Sequence, residues 1–280
     1  MIKLAFYGKG GIGKSTTVSN IAVALAQKGL TVMQIGCDPK ADSTANLHGG
    51  TTLPTILDLV RERGDDFSLE DMVIRGTGGV LCTEAGGPTP GVGCAGRGII
   101  TALEKLSAKG AYQKYQPDVV LYDVLGDVVC GGFSMPMRGG YADQVFVLTS
   151  GENMAIHAAA NIAMAINHFK NRGYATLGGL ILNRRGVKNE DEKVRELAGD
   201  FHTDIVGALD FSTTVQDAEE LNQTVLEAFP DSDMAAAYRA LADSLLARCA
   251  INHPENIARF HDIGKANPKF QHALEEHHHA

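Results

Sequence analysis

Residues 8–15 read Gly8-Lys9-Gly10-Gly11-Ile12-Gly13-Lys14-Ser15, which satisfies the phosphate-binding loop pattern GxxxxGK[ST]. An apolar, strand-like run over residues 2–7 precedes the loop, and residues 15–28 follow with apolar side chains at helical spacing. This strand–loop–helix context is the one in which the pattern marks a nucleotide site. The alternative, a glycine-rich turn that binds no nucleotide, leaves the lysine, the hydroxyl and the context unexplained.

The loop predicts how a nucleotide and its Mg²⁺ are held. Glycines let backbone N–H groups face phosphate oxygens, Lys14 brings a positive charge to the β- and γ-phosphates, and Ser15 offers a hydroxyl to Mg²⁺. We therefore predict MgATP as a cofactor. The predicted contacts are Gly8, Gly10, Gly11, Ile12, Gly13, Lys14, Ser15 and Thr16.

The rest of the chain alternates strand-like and helix-like segments. Near-continuous apolar runs are typical of strands that are buried on both faces, and their alternation with helices predicts a doubly wound, mostly parallel α/β sheet. No linker divides the chain before about residue 250, so we predict one domain over residues 1–249 and a polar, His-rich extension over 250–280, either an appendage or a partly disordered segment. The predicted strands are 2–7, 30–35, 118–124, 144–148 and 177–182; the predicted helices are 15–28, 98–108, 152–170 and 234–248.

Composition excludes several classes of protein. The 280 residues are 44% hydrophobic and 21% charged, as in ordinary globular proteins. A net charge of -8 argues against a nucleic-acid binder that works by neutralising phosphates. No apolar run approaches the roughly 18–20 residues of a membrane helix, and the first residues do not resemble a signal peptide. We expect a soluble cytoplasmic protein that binds neither nucleic acid nor membrane.

Two aspartates stand where parallel strands are predicted to end. Asp38 follows the second strand, and Asp123 lies near the end of the run DVVLYDV over residues 118–124. Carboxylates at the carboxyl ends of parallel strands project into the crevice in which such sheets bind ligands. We predict that Asp38 positions or activates the attacking water and that Asp123 holds Mg²⁺ through water.

Five scattered cysteines, with no CxxC pair, do not form a disulfide framework. Cys94 and Cys130 are flanked by glycines, in EAGGPTPGVGCAGRG (84–98) and DVLGDVVCGGFSMPM (123–137). Backbone N–H groups exposed by such glycines lower a thiolate's pKa and donate to its sulfur. Two cysteines cannot supply the four thiolates of an iron–sulfur cluster, whereas two identical chains can. From the cysteines alone, two isolated structural thiols are the better interpretation. Cys37, Cys82 and Cys249 are predicted to be buried.

Lys9 is a second lysine in the phosphate-binding loop. It cannot easily reach the phosphates of its own nucleotide, yet it can reach those of a facing subunit. The pattern KGGxGK resembles the signature of the deviant Walker ATPases, a family that includes partition ATPases, septum-site ATPases and the nitrogenase iron protein. The resemblance implies nucleotides at a dimer interface and hydrolysis coupled to dimer closure. A solvated loop lysine is the alternative.

Four segments together resemble the nitrogenase iron protein family, in order and over about residues 1–250: GKGGIGKSTT, CDPKADST, GGPTPGVGCAGRG and YDVLGDVVCGGFSMP. The resemblance implies a homodimer in which Cys94 and Cys130 of each chain hold one shared [4Fe-4S] cluster. It thins at residues 209–212, where the family often has Pro-Arg-Asp near the adenine. The other residues that it implies are Lys40, Asp42 and Asp127 in nucleotide-switch regions, Asn183 near the adenine, Phe133 beside the cluster, and Arg97, which some family members have ADP-ribosylated.

The implied function is that of an ATP-dependent electron donor. Such a protein takes one electron from ferredoxin or flavodoxin and passes it to a larger, nitrogenase or nitrogenase-like catalytic component as MgATP is hydrolysed. Lys9, Asp38 and Asp127 are the predicted catalytic residues. The partner could reduce dinitrogen, cleave C–S bonds of methylthio compounds or reduce a tetrapyrrole. Two further functions would use the same phosphate-binding loop, that of a partition-type ATPase and that of a metal-loading ATPase.

Overall fold

A computed structural model describes residues 1–87, 95–126, 135–137, 141–169 and 174–252. Within them the chain forms an eight-stranded sheet in the order β3-β4-β2-β5-β1-β6-β7-β8. Every neighbouring pair is parallel except β3 and β4. This confirms the predicted doubly wound, mostly parallel sheet. The strands are β1 (Ile2–Gly8), β2 (Val32–Cys37), β3 (Ile74–Arg75), β4 (Leu81–Glu84), β5 (Val119–Val124), β6 (Gln144–Thr149), β7 (Thr176–Asn183) and β8 (Ile205–Leu209).

Helices cover both faces of the sheet, so most strands are buried on both sides. On one face β1 contributes Leu4 and Phe6 to a core that it shares with α1, α9 and α10; on the other, Ala5 and Tyr7 pack in a core shared with α2, α4 and α7. This burial accounts for the unbroken apolar runs of the central strands. The helices are α1 (Lys14–Gln27), α2 (Ile56–Arg63), α3 (Leu69–Met72), α4 (Ala95–Ala108), α5 (Ala111–Tyr115), α6 (Asn153–Phe169), α7 (Glu190–Asp200), α8 (Thr213–Glu220), α9 (Val225–Ala228) and α10 (Asp233–Asn252).

The strand order brings the loops that carry the predicted motifs together. β1 lies between β5 and β6, and β2 lies on the other side of β5. The carboxyl ends of these strands therefore share one edge, at the point where the direction of winding reverses and α/β sheets bind their ligands. In register, Asp123 of β5 stands opposite Phe6 of β1 and Gly36 of β2.

The sequence also predicted a domain boundary near residue 250 and the absence of a membrane helix. α10 runs on to Asn252, and the division of the chain into residues 1–249 and 250–280 stays a prediction. Among the described residues, the helices are all too short or too polar to cross a membrane.

Candidate functional site

The phosphate-binding loop is a tight turn between β1 and α1. The Ile12 N–H donates to the Lys9 carbonyl (3.1 Å), and Gly13, which caps α1, has a φ of +87° that favours glycine. A Cβ on Gly126, just after β5, would lie 1.8 Å from the carbonyl oxygen of Gly8. The loop and the segment that follows β5 are therefore packed backbone to backbone, with no room for a side chain between them.

A buried ion pair lies directly under the loop. Lys14 is 9% exposed and Asp123 is 1% exposed, and the Lys14 Nζ forms a salt bridge with the Asp123 Oδ1. The Ser43 hydroxyl donates to the other carboxylate oxygen of Asp123 (2.5 Å). Gln34 of β2 in turn donates to the Ser43 carbonyl (3.0 Å). Three segments thus meet at Asp123: the phosphate-binding loop, the end of β5 and the loop after β2.

In the loop after β2, the residues that the sequence predicted to be functional differ in their exposure and contacts. The Asp38 Oδ1 accepts a hydrogen bond from the Lys40 N–H (2.9 Å), so this carboxylate stabilises the turn of its own loop. Lys40 and Asp42 are exposed, whereas Ser43 and Thr44 are buried. Sequence reasoning named Asp38, Lys40 and Asp42 but missed Ser43, which is the residue of this loop that bonds to Asp123.

Glu84, at the end of β4, is a buried carboxylate that sequence reasoning also missed. It is 1% exposed, and its Oε1 accepts from both the N–H and the hydroxyl of Thr44 (2.7 Å each). Its Oε2 has no hydrogen-bond partner among the described residues. Burial, helped by the nearby carboxylate of Asp123, raises the pKa of Glu84 to about 7, although the bonds from Thr44 lower it. The same signal that identified Asp123, an acid at the end of an apolar strand, could have found Glu84.

A cleft of about 350 Å³ opens beside the loop, within the size range of small-ligand sites. Asn183, at the end of β7, donates from its Nδ2 to the Ile12 carbonyl (2.7 Å), and Arg185 donates to the Gly11 carbonyl (2.8 Å). Thr16 donates to a carboxylate oxygen of Glu219 (2.6 Å). The stretch where the family resemblance thins forms the far wall, with Leu209, Asp210, Phe211 and Ser212, followed by Val215 and Gln216.

Lys9 and Gly10 lie at a different hollow, of about 550 Å³. Its other walls are Leu125 and Gly126 after β5 and the side of α6 that carries Met154 and His157. Met154 is 64% exposed, the largest exposed fraction among the large apolar side chains of the described residues. The two lysines of the loop therefore serve different surfaces: Lys14 points into the buried ion pair and Lys9 lines an open, partly apolar hollow.

Three of the five cysteines are buried in the structure. Cys37, Cys82 and Cys249 are each no more than 1% exposed, and burial raises the pKa of all three thiols, that of Cys82 to about 12. Such thiols are poor metal ligands, because the thiolate is the form that binds. In the described part of the chain no group of three or more His, Cys, Asp and Glu side chains is arranged to hold a metal ion.

Four of the predicted site residues lie outside the described residues: Cys94, Asp127, Cys130 and Phe133. The described elements nonetheless fix where their segments start. Residues 88–94 follow Gly87, three residues after Glu84, and lead into α4; residues 127–134 follow Gly126, which packs on Gly8. Arg97 is exposed in the first turn of α4. Both cysteine-bearing segments therefore leave the sheet at the edge that holds Asp123.

Comparisons with known proteins converge on one family. The sequence model described as "4Fe-4S iron sulfur cluster binding proteins, NifH/frxC family" matches residues 2–261. The chain is 50% identical over 249 residues to the nitrogenase iron protein of Methanospirillum hungatei, covering 88% of each chain. It is 48% identical over 246 residues to that of Methanococcus voltae, again covering 88% of each.

Solved structures resemble the fold at low sequence identity. The septum site-determining protein MinD of Pyrococcus horikoshii, complexed with Mg-ADP, matches with a TM-score of 0.68 at 19% identity, covering 90% of this chain and 98% of the other. A ParA family ATPase of Chlorobium tepidum matches with a TM-score of 0.65 at 18% identity, covering 86% and 97%. At these identities the likeness concerns the fold alone.

Proposed function

Because the chain belongs to the NifH/frxC family of 4Fe-4S iron–sulfur cluster binding proteins, we propose that it is the ATP-dependent electron donor of a nitrogenase or nitrogenase-like enzyme. Family membership confirms the resemblance that the motifs predicted, and with it the family's cofactors, a 4Fe-4S cluster and MgATP. The relatives at about 50% identity carry the name nitrogenase iron protein, which favours dinitrogenase as the partner over a methylthio-alkane or tetrapyrrole reductase. We also propose how ATP hydrolysis is coupled to electron transfer, what individual residues do, and which protein accepts the electron.

The donor set beneath the loop fits MgATP. Lys14 is the cation for phosphate oxygens, Ser15 supplies a hydroxyl for Mg²⁺, and Asp123 is a buried carboxylate that can bind the hydrated metal. Lys14 and Asp123 now neutralise each other. A polyphosphate that attracts Lys14 therefore frees the carboxylate of Asp123 for Mg²⁺, so both halves of the ion pair gain new partners together.

The single observation that carries the proposed coupling is the meeting of three segments at Asp123. Ser43 connects Asp123 by a hydrogen bond to the loop after β2, which also contains Asp38, Lys40 and Asp42. Asp123 itself begins the seven-residue path to Cys130, with Asp127 between them. If Lys14 leaves its ion pair with Asp123 to bind phosphate, the contacts of Asp123 change at the start of the segment that carries Cys130. We assign Asp38 to positioning the attacking water, because its carboxylate keeps acceptor sites beside the one that the Lys40 N–H occupies.

Cys94 and Cys130 are the proposed ligands of the cluster, two from each copy of the chain. The other three cysteines are buried and burial raises the pKa of their thiols, whereas the cluster needs four thiolates. When bound, the cluster supplies reversible one-electron transfer. In the sequence, glycines flank both cysteines, and backbone N–H groups beside a sulfur stabilise thiolate charge.

Lys9 is the proposed contact to the nucleotide of the second copy. It lines a hollow distinct from the cleft of its own loop, beside the exposed Met154 of α6. A lysine and an apolar side chain at one surface suit an interface that closes over phosphates. The electron donor is proposed to be ferredoxin or flavodoxin, and the acceptor a larger catalytic component.

The coupling can be tested without the catalytic partner. We expect MgATP, added to anaerobically purified protein, to speed the removal of cluster iron by a chelator severalfold and to lower the cluster's reduction potential. Asp127→Glu lengthens the carboxylate arm without removing its charge, so it should keep iron content and nucleotide affinity yet lose the response. A brown, iron-loaded protein whose chelation rate and potential ignore MgATP would contradict the coupling. A protein that holds no iron would contradict electron donation itself.

A further inference from the structure

Glu190, the first residue of α7, is a buried carboxylate outside every motif of the sequence. It is 6% exposed. Its Oε1 accepts from the N–H groups of Gly151 (2.8 Å) and Arg185 (3.1 Å). Its Oε2 accepts from Arg185 (3.0 Å), Gly186 (3.2 Å) and Val187 (3.3 Å). Four backbone N–H groups and the positive end of an 11-residue helix thus hold one negative charge.

The bonds of Glu190 join two loops at the carboxyl edge of the sheet. Gly151 follows β6, and residues 185–187 follow β7. The junction is tight, because a Cβ on Gly151 would lie 2.8 Å from the Cα of Glu190. Lys193, one turn along α7, also donates to the Gly151 carbonyl (3.2 Å).

The next residue of α7 adds a third loop. Asp191 accepts two hydrogen bonds from Arg184, at 2.8 Å and 2.7 Å. Arg184 also donates to Asp210 (2.7 Å), which follows β8. The first turn of α7 therefore ties together the loops after β6, β7 and β8.

The loops after β7 and β8 line the cleft beside the phosphate-binding loop, whereas Lys14 and Asp123 are not among its lining residues. The hydrogen bonds that Asn183 and Arg185 donate to the phosphate-binding loop go to its carbonyl groups, at Ile12 and Gly11, and carbonyl groups do not bind phosphate. The phosphate side depends instead on Lys14, Asp123 and Ser43, which β1, β5 and β2 support. The wall formed by the loops after β7 and β8 and the residues around the ion pair thus have separate supports.

We propose that Glu190 is a positioning residue that sets the affinity of the site for the nucleoside part of its ligand and leaves the affinity for the phosphates unchanged. The inference rests on the proposed nucleotide site. A glutamine at this position offers one acceptor oxygen in place of two and turns an NH₂ group toward backbone N–H donors. The loop over 185–187 then loses part of its anchor, and Asn183 and Arg185 lose their fixed places in the wall.

The test compares two ligands in the intact, iron-loaded protein by calorimetry: MgADP, and magnesium tripolyphosphate, which lacks the nucleoside. We expect Glu190→Gln to lower the affinity for MgADP about tenfold, which corresponds to ~1.4 kcal/mol, and to change the affinity for tripolyphosphate less than about twofold. Glu192→Gln is the matched control, because Glu192 is exposed on the same turn and loses the same charge; both affinities should stay unchanged.

A second variant guards against misfolding of the first. Asp191→Asn removes the carboxylate that holds Arg184 but alters no buried group, and we expect a loss of about threefold for MgADP only. Equal losses for the two ligands in either variant, or no loss for MgADP, would overturn the role of Glu190. An unmodified protein that binds neither ligand would overturn the proposed nucleotide site, and with it this inference.

Discussion

Replacing Glu84 by Gln keeps the shape of the side chain at the end of β4 but removes its titratable proton. Burial raises the pKa of Glu84 from 4.5 to about 7 in the folded protein. Between these values the folded state keeps a proton that the unfolded chain has released. Folding therefore binds a proton in this window, and the protein loses stability as the pH rises from about 4.5 to about 7.

The size of the effect follows from the same pair of values. Each pKa unit corresponds to about 1.4 kcal/mol, so the penalty above pH 7 is about 3 kcal/mol, of which about 2.5 kcal/mol develops between about pH 5 and about pH 8. Glu84 is 1% exposed, so solvent screens little of this. The variant carries no such penalty. Its free energy of unfolding, relative to that of the unmodified protein, should rise by about 2.5 kcal/mol over this range.

Urea unfolding of the nucleotide-free protein at a series of pH values measures this difference. A constant cost of the buried amide NH₂ shifts the variant equally at every pH and so cancels. Glu192→Gln, which alters an exposed carboxylate, should follow the unmodified protein at each pH. If Glu84→Gln also runs parallel to the unmodified protein, the carboxylate of Glu84 does not titrate as its burial requires, and the reasoning fails.

Two further predictions concern the lysines and the buried ion pair. Lys9→Ala should leave MgADP affinity within about threefold but remove partner-stimulated ATP hydrolysis. Lys14→Ala should lower MgADP affinity at least roughly tenfold, since a charged contact to phosphate is lost. Identical phenotypes of the two variants in calorimetry and hydrolysis assays would refute a role of Lys9 across the dimer. Asp123→Ala should lower the free energy of unfolding by about 3–5 kcal/mol, because it leaves the buried charge of Lys14 without a partner. Asp42→Ala at the surface should change the free energy of unfolding by less than about 0.5 kcal/mol. Equal urea midpoints for these two variants would show that the ion pair does not stabilise the fold.

Local patterns predicted the centre of the sheet and failed at its edges. β1, β5, β6 and β7 are buried on both faces, so their apolar runs are unbroken and visible in the sequence. β8 was missed because most of its residues are only half-buried. β3 has two residues, too few for any periodicity.

The candidate site shows the same division between local and long-range information. Lys14 and Asp123 are 109 residues apart, yet both could be predicted, because Lys14 belongs to a recognisable motif and Asp123 lies near the end of an unbroken apolar strand. Glu84 carries the same local signal, an acid at the end of an apolar strand, but its partner Thr44 becomes a neighbour only through the pairing of β2 with β4. Glu190 was missed because an acid in the first turn of a helix is usually solvated, and only the tertiary fold brings the loops after β6 and β7 onto it.

The central claim is that two copies of this chain share one redox-active cluster through Cys94 and Cys130. The most direct measurement is the iron content and electron paramagnetic resonance of the anaerobically purified dimer, compared with Cys94→Ala, Cys130→Ala and, as a control, Cys82→Ala, which alters a buried thiol. We expect about four irons per dimer and a signal of the reduced cluster in the unmodified protein and in Cys82→Ala, and neither in the other two variants. Full iron content in Cys94→Ala or Cys130→Ala would contradict it.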